Sequence, residues 1–98
     1  MVREIDSIRR LNELLKDGAQ LVDVREEGEV FSGSLAYHKH WPLSTFARRE
    51  SEISKTAPTV FYCRSGLRSF KAAEIASEWT EQEVFILSGG YMNFREQK

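Results

Sequence analysis

Ninety-eight residues can build one hydrophobic core but not two. With 41% hydrophobic and 30% charged residues and a formal net charge of −1, the chain is composed like a soluble globular protein, without the basic excess that draws nucleic acid or anionic lipid. No apolar stretch approaches the ~20 residues that span a bilayer, Met1 to Asp6 carries no secretory apolar core, and a lone cysteine cannot close an intrachain disulfide; a cytoplasmic setting with no nucleic-acid and no membrane partner is expected.

Strand and helix signals alternate along the chain, with no repeat or low-complexity segment. Residues 2–5 read as a short edge strand. Asp6 or Ser7 caps a helix running to about Lys16, with Ile8, Leu11 and Leu15 on one face and Leu14 beside them; Gly18 ends it. The apolar run 20–24, broken by Asp23, predicts a buried strand. Residues 26–31 form an acidic segment about one helical turn long, stopped by Gly33. Alternation over 37–41, closed by Pro42, predicts another strand. Ser44 or Thr45 caps a short helix near 46–50, and a second turn covers 51–55. Pro58 introduces the strand 59–62. A helix over 69–79 places Ala72, Ile75, Ala76 and Trp79 on one stripe. Residues 83–87 are the last strand, Gly89-Gly90 a turn, and 91–97 a terminal helix. This order predicts an α/β fold: a small three-layer sandwich, its mostly parallel sheet covered by helices on both faces, in a single domain over 1–98.

Cys63, the only cysteine, stands at the carboxyl end of the strand 59–62, where open α/β sheets place their chemistry. Five residues, Arg64, Ser65, Gly66, Leu67 and Arg68, link it to Ser69 at the start of the next helix. Gly66 lets the backbone curl, and a curled loop turns successive N–H groups inward as an anion nest. The helix adds free N–H groups and its positive dipole end. Such surroundings lower a cysteine pKa from ~8.5 toward ~3.5–7.5, so no separate base is required. A lone cysteine is more often simply packed as a small hydrophobe. Two arginines, two serines and a glycine in six residues weigh against that here. Arg64 reads as a surface charge; Arg68 either braces the loop or contacts an anionic substrate.

Three blocks resemble the rhodanese family of sulfurtransferases: Leu21 to Val30, with its Asp-Val-Arg start and acidic tail; Cys63 to Ser69; and Leu87-Ser88-Gly89-Gly90-Tyr91. The second block is the specific one, and the resemblance spans nearly the whole chain. It implies a rhodanese-like fold and sulfur transfer through a persulfide on Cys63, with no cofactor. It also implies a small sulfur donor (thiosulfate or a persulfide) and a thiol or cyanide acceptor, with a sulfur-relay protein as a further partner. Where the family has Gly-His-Ile-Pro-Gly-Ala, this chain has Gly33-Ser34-Leu35-Ala36-Tyr37-His38, and the aromatic that follows Gly-Gly is read as Phe94. These departures touch the substrate-facing rim more than the fold.

The remaining polar residues read as structural. Asp23 interrupts a buried run and needs hydrogen-bond partners, so Asp23 and Arg25 are expected to brace a loop at the sheet's carboxyl edge. His38 and His40 are read as exposed strand residues, with the pocket mouth as their alternative place. Trp41 and Trp79 are read as packing, Glu26-Glu27 and Arg48-Arg49 as solvated faces, and the two histidines and one cysteine have no metal-ligand spacing. Rival functions are a partner-dependent sulfur carrier, a regulatory module and, further behind, a cysteine phosphatase. The phosphatase pattern places five residues between Cys and Arg, whereas four separate Cys63 from Arg68.

Overall fold

The computed structural model describes residues 2–97. Five strands, β1 (Val2–Ile5), β2 (Gln20–Asp23), β3 (Lys39–His40), β4 (Thr59–Tyr62) and β5 (Val84–Leu87), form one all-parallel sheet in the order β1-β5-β4-β2-β3. The helices are α1 (Ile8–Lys16), α2 (Glu27–Phe31), α3 (Leu67–Ser77) and α4 (Gly90–Phe94), with a 3-10 segment over Leu43–Glu52. The expected layered α/β architecture is what is found. Among the described residues no helix is long and apolar enough to cross a membrane.

Side-chain alternation along β4 divides the core. Val60 and Tyr62 point to one face, where they pack with Leu11 and Leu14 of α1 and with Phe94 of α4. Phe61 and Cys63 point to the other, among Ala72, Ala73 and Ala76 of α3 and with Trp41 and Phe46. The alanines bring α3 close to the sheet. The two tryptophans are packing residues: Trp41 lies against Phe46 and Phe61, and Trp79 stacks on Phe46 with centroids 5.2 Å apart.

Local signals account for most boundaries. Ser7 caps α1 by accepting from Arg10 N at 3.2 Å, and Gly18, at φ +102°, follows its end. Four expectations need correction. The strand predicted over 37–41 shrinks to Lys39–His40, because it pairs only with Val22 and Asp23 at the sheet's edge. The helix foreseen near 46–50 and the turn over 51–55 are replaced by 3-10 turns spanning Leu43–Glu52, broken by non-helical backbone at Thr45 and ended at Ile53. The helix predicted over 69–79 runs instead from Leu67 to Ser77: Gly66, at φ +121°, sits at its N-cap, and Trp79 is left outside. The terminal helix begins at Gly90 and stops at Phe94.

The histidines serve the sheet edge. Leu21 N donates to His38 Nδ1 at 2.9 Å, and His40 Nε2 donates to Arg25 O at 2.7 Å. Each satisfies a backbone group of the β2 strand or its exit that the short β3 leaves unpaired.

Candidate active site

The Cys63 side chain is only 1% exposed, on the floor of the loop that joins β4 to α3. Its depth follows from strand parity, because it continues the row begun by Phe61. Polar groups nevertheless reach it. Gly66 N donates to Sγ at 3.0 Å and Ser69 N at 3.4 Å, and the thiol faces Ser69 Oγ at 3.6 Å. Burial alone would push the thiol pKa up; the Ser69 hydroxyl and the amides of Ser69, Gly66 and Ser65 outweigh it and bring the value below that of an ordinary cysteine. The positive φ of Gly66 aims these amides inward.

The loop's walls come from distant parts of the chain. Arg68 forms a bidentate pair with Glu29 of α2, Nη1 to Oε1 at 2.6 Å and Nη2 to Oε2 at 2.8 Å. Arg68 is therefore a brace, and its charge is matched by Glu29. Arg64, the other loop arginine, is exposed. Leu67, expected within the anion-binding loop, is the first residue of α3 and turns its side chain to solvent. On the far side Tyr91 N donates to Cys63 O at 2.8 Å and Met92 N to Arg64 O at 3.1 Å. Gly90, at φ +58°, permits this contact: a Cβ there would lie 2.5 Å from Cys63 O.

Asp23 and Arg25 brace the carboxyl edge of β2. Arg25 Nη2 donates to Asp23 Oδ2 at 2.8 Å and to Gly33 O at 2.7 Å, and the guanidinium lies 4.5 Å from the centroid of the Tyr91 ring. Arg25 reaches the Cys63 loop through Tyr91 and through Glu29, whose carbonyl accepts from Arg25 Nη1 at 3.5 Å and whose carboxylate holds Arg68. A groove of about 390 Å³ beside the loop is lined by Glu29, Ser32, Arg64, Tyr91, Met92 and Arg95 together with Arg25, Gly28 and Gly33.

A family model described as Rhodanese-like domain matches residues 7–97. The chain belongs to the rhodanese-like domain family. It is 37% identical over 92 residues to a sulfurtransferase of Allochromatium vinosum, a match covering 92% of this chain and 85% of that protein. It is 36% identical over 73 residues to the uncharacterized protein YqhL of Bacillus subtilis, where the match takes in 74% of this chain and 58% of the relative. The crystal structure of a rhodanese-related protein from Thermoplasma volcanium has a TM-score of 0.79 at 26% identity, covering 94% of this chain and 92% of that one. That of a rhodanese homolog from the extremely thermophilic bacterium Thermus thermophilus has a TM-score of 0.70 at 26% identity, covering 96% of this chain and 100% of that one.

Within this rhodanese-like domain, sequence reasoning missed Glu29, Gly90, Tyr91 and Arg95 as neighbours of the site. Glu29 had a signal, since it lies in the acidic tail after Asp-Val-Arg, but nothing local tied it to Arg68. The Arg68 hydrogen bonds are the main reason the Glu29 pKa falls from 4.5 to about 2. A carboxylate whose folded pKa is depressed stabilises the fold above its unfolded pKa and loses that contribution as pH falls through the folded one. The domain is thus expected to lose stability between pH 4.5 and about 2 by a route that Glu29→Gln lacks. Denaturant midpoints of both proteins measured across that window check this; parallel pH profiles would refute it.

Proposed function

We propose that this rhodanese-like domain is a sulfurtransferase that moves a sulfane sulfur from a donor such as thiosulfate to a thiophilic acceptor through a persulfide on Cys63. The observation that carries the reading is the set of N–H groups from Gly66 and Ser69 converging on Sγ. In the first half-reaction the Cys63 thiolate attacks the outer sulfur of thiosulfate. The bond from that sulfur to the sulfonate sulfur breaks, and sulfite leaves with the electron pair. In the second, cyanide or a thiolate attacks the outer sulfur of the persulfide, and the electron pair of the S–S bond returns to Sγ. On Cys63 itself the charge rests on sulfur as thiolate and as persulfide, and the loop amides solvate it with little reorganisation. Small sulfur donors and thiol or cyanide acceptors are the substrates of this reading, with a sulfur-relay protein as the alternative supply.

The Arg68–Glu29 pair favours this chemistry over phosphate hydrolysis. A cysteine phosphatase needs its loop arginine free to grip two phosphate oxygens, and here both terminal nitrogens are held by a carboxylate. Intact-protein mass spectrometry after thiosulfate exposure tests the proposal. A gain of one sulfur atom, removed by dithiothreitol, is expected. An unchanged mass with thiosulfate and with inorganic polysulfide would end it.

A further inference from the structure

Large apolar side chains are rarely left in water without a reason when they gather in one place. The strongly exposed ones described here are Phe31 at 93%, Leu67 at 84%, Phe70 at 46% and Met92 at 40%. All four lie on segments bonded to the Cys63 loop or to its brace. Leu67 and Phe70 are in the first turn of α3, where Phe70 N donates to Gly66 O at 3.0 Å. Met92 is tied to Arg64 through its backbone. Phe31 ends α2, the helix whose Glu29 holds Arg68. None of the four is in the core clusters.

The groove beside the loop is lined by three arginines, Arg25, Arg64 and Arg95, and one glutamate, Glu29. Arg68 is matched by Glu29 and Arg25 by Asp23. Arg64 and Arg95 remain exposed on the groove beside the loop; Arg95 pairs with its exposed neighbour Glu96 at 3.6 Å and lies 5.8 Å from the centroid of the Tyr91 ring. Thiosulfate and cyanide have no apolar surface with which to engage Phe31 or Phe70. A protein segment does, and one with acidic flanks also complements the two arginines.

We propose that this rim docks a cysteine-bearing segment of a partner protein, apolar next to its cysteine and acidic on either side, and that this segment exchanges the sulfane sulfur with Cys63. The proposal rests on the sulfur-transfer reading. In discharge, the partner's thiolate attacks the outer sulfur of protonated Cys63 persulfide. The S–S bond breaks, its electron pair returns to Sγ, and the proton stays on the transferred sulfur, so no outside oxidant or reductant enters.

The test uses the whole chain loaded with sulfur from thiosulfate or inorganic polysulfide. Three acceptors are compared: a synthetic peptide whose cysteine is flanked by leucines and then glutamates, its lysine-flanked counterpart, and glutathione. The glutamate peptide is expected to discharge the persulfide about tenfold more efficiently in kcat/KM than either other acceptor, the equivalent of one well-used contact patch. The Phe31→Ser/Phe70→Ser double variant is expected to lose that advantage while keeping thiosulfate–cyanide turnover, and Arg64→Ala/Arg95→Ala to narrow the gap between the two peptides. Equal discharge to all three acceptors, or a peptide rate indifferent to the aromatic substitutions, overturns docking and leaves sulfur transfer standing. Failure to load any sulfur overturns both.

Discussion

Cys63→Ser is expected to lower sulfur-transfer turnover by at least about a thousandfold, the scale on which enzymes fail when their nucleophile is removed. A serine hydroxyl in that loop is not ionised by amide hydrogen bonds near neutral pH, and its oxygen is a poor nucleophile toward sulfane sulfur. The fold should survive. The serine oxygen can accept from Gly66 N and Ser69 N, now 3.0 and 3.4 Å from Sγ, so the new polar atom is not left unpaired. A stability change within about 1 kcal/mol is expected for such a satisfied exchange. Thiosulfate–cyanide turnover and thermal unfolding of the same preparation separate the two effects. Turnover that persists in a folded variant would remove Cys63 from the mechanism.

Asp23→Ala is expected to produce the largest loss of stability at the carboxyl edge of the sheet. Asp23 is fully buried and accepts from Arg25 N at 2.8 Å, from Arg25 Nε at 3.1 Å and from Arg25 Nη2 at 2.8 Å. Arg25 is itself only 3% exposed. Burial works against its charge, and the Asp23 carboxylate more than offsets this, raising the guanidinium pKa. Without the carboxylate a buried cation has lost its counterion, which costs about 3–5 kcal/mol. For a small domain with a total stability of about 5–15 kcal/mol, that corresponds to a fall in Tm of about 12 °C or more. Most of the loss reflects the stranded charge, so Asp23→Leu/Arg25→Met should recover part of it. Calorimetry of the single and double variants checks the sign of that recovery. A single variant within about 1 kcal/mol of the parent would show that the pair contributes little. Activity should fall with stability, because Arg25 packs on Tyr91 and Tyr91 N holds Cys63 O.

Elements with strong local signals were legible. The strands β1 and β4 have the bounds expected from their residues, and α1 ends at Lys16 as its capping pattern implies. The start of α3 was misjudged by two residues because the glycine that curls the loop also serves as the N-cap. β3 was overestimated because alternation over 37–41 is a local cue, whereas strand length at an edge depends on the neighbour available. Arg68 was legible as either a brace or a substrate contact. Only the position of α2 decides between them, and its partner Glu29 is 39 residues away.

Composition, periodicity and the residues of the Cys63 loop determined the α/β order, the parallel sheet, and the placement of one cysteine at a strand's carboxyl end before a glycine-hinged turn. Those are properties of a few neighbouring residues, fixed by backbone sterics and side-chain alternation. The depth of the thiol, the neutralisation of Arg68, the route from Arg25 through Tyr91 to the loop, and the exposure of Phe31, Leu67, Phe70 and Met92 were decided by tertiary structure. They depend on which helix packs against which strand end, and charges and rings paired across that distance leave no trace in any local pattern.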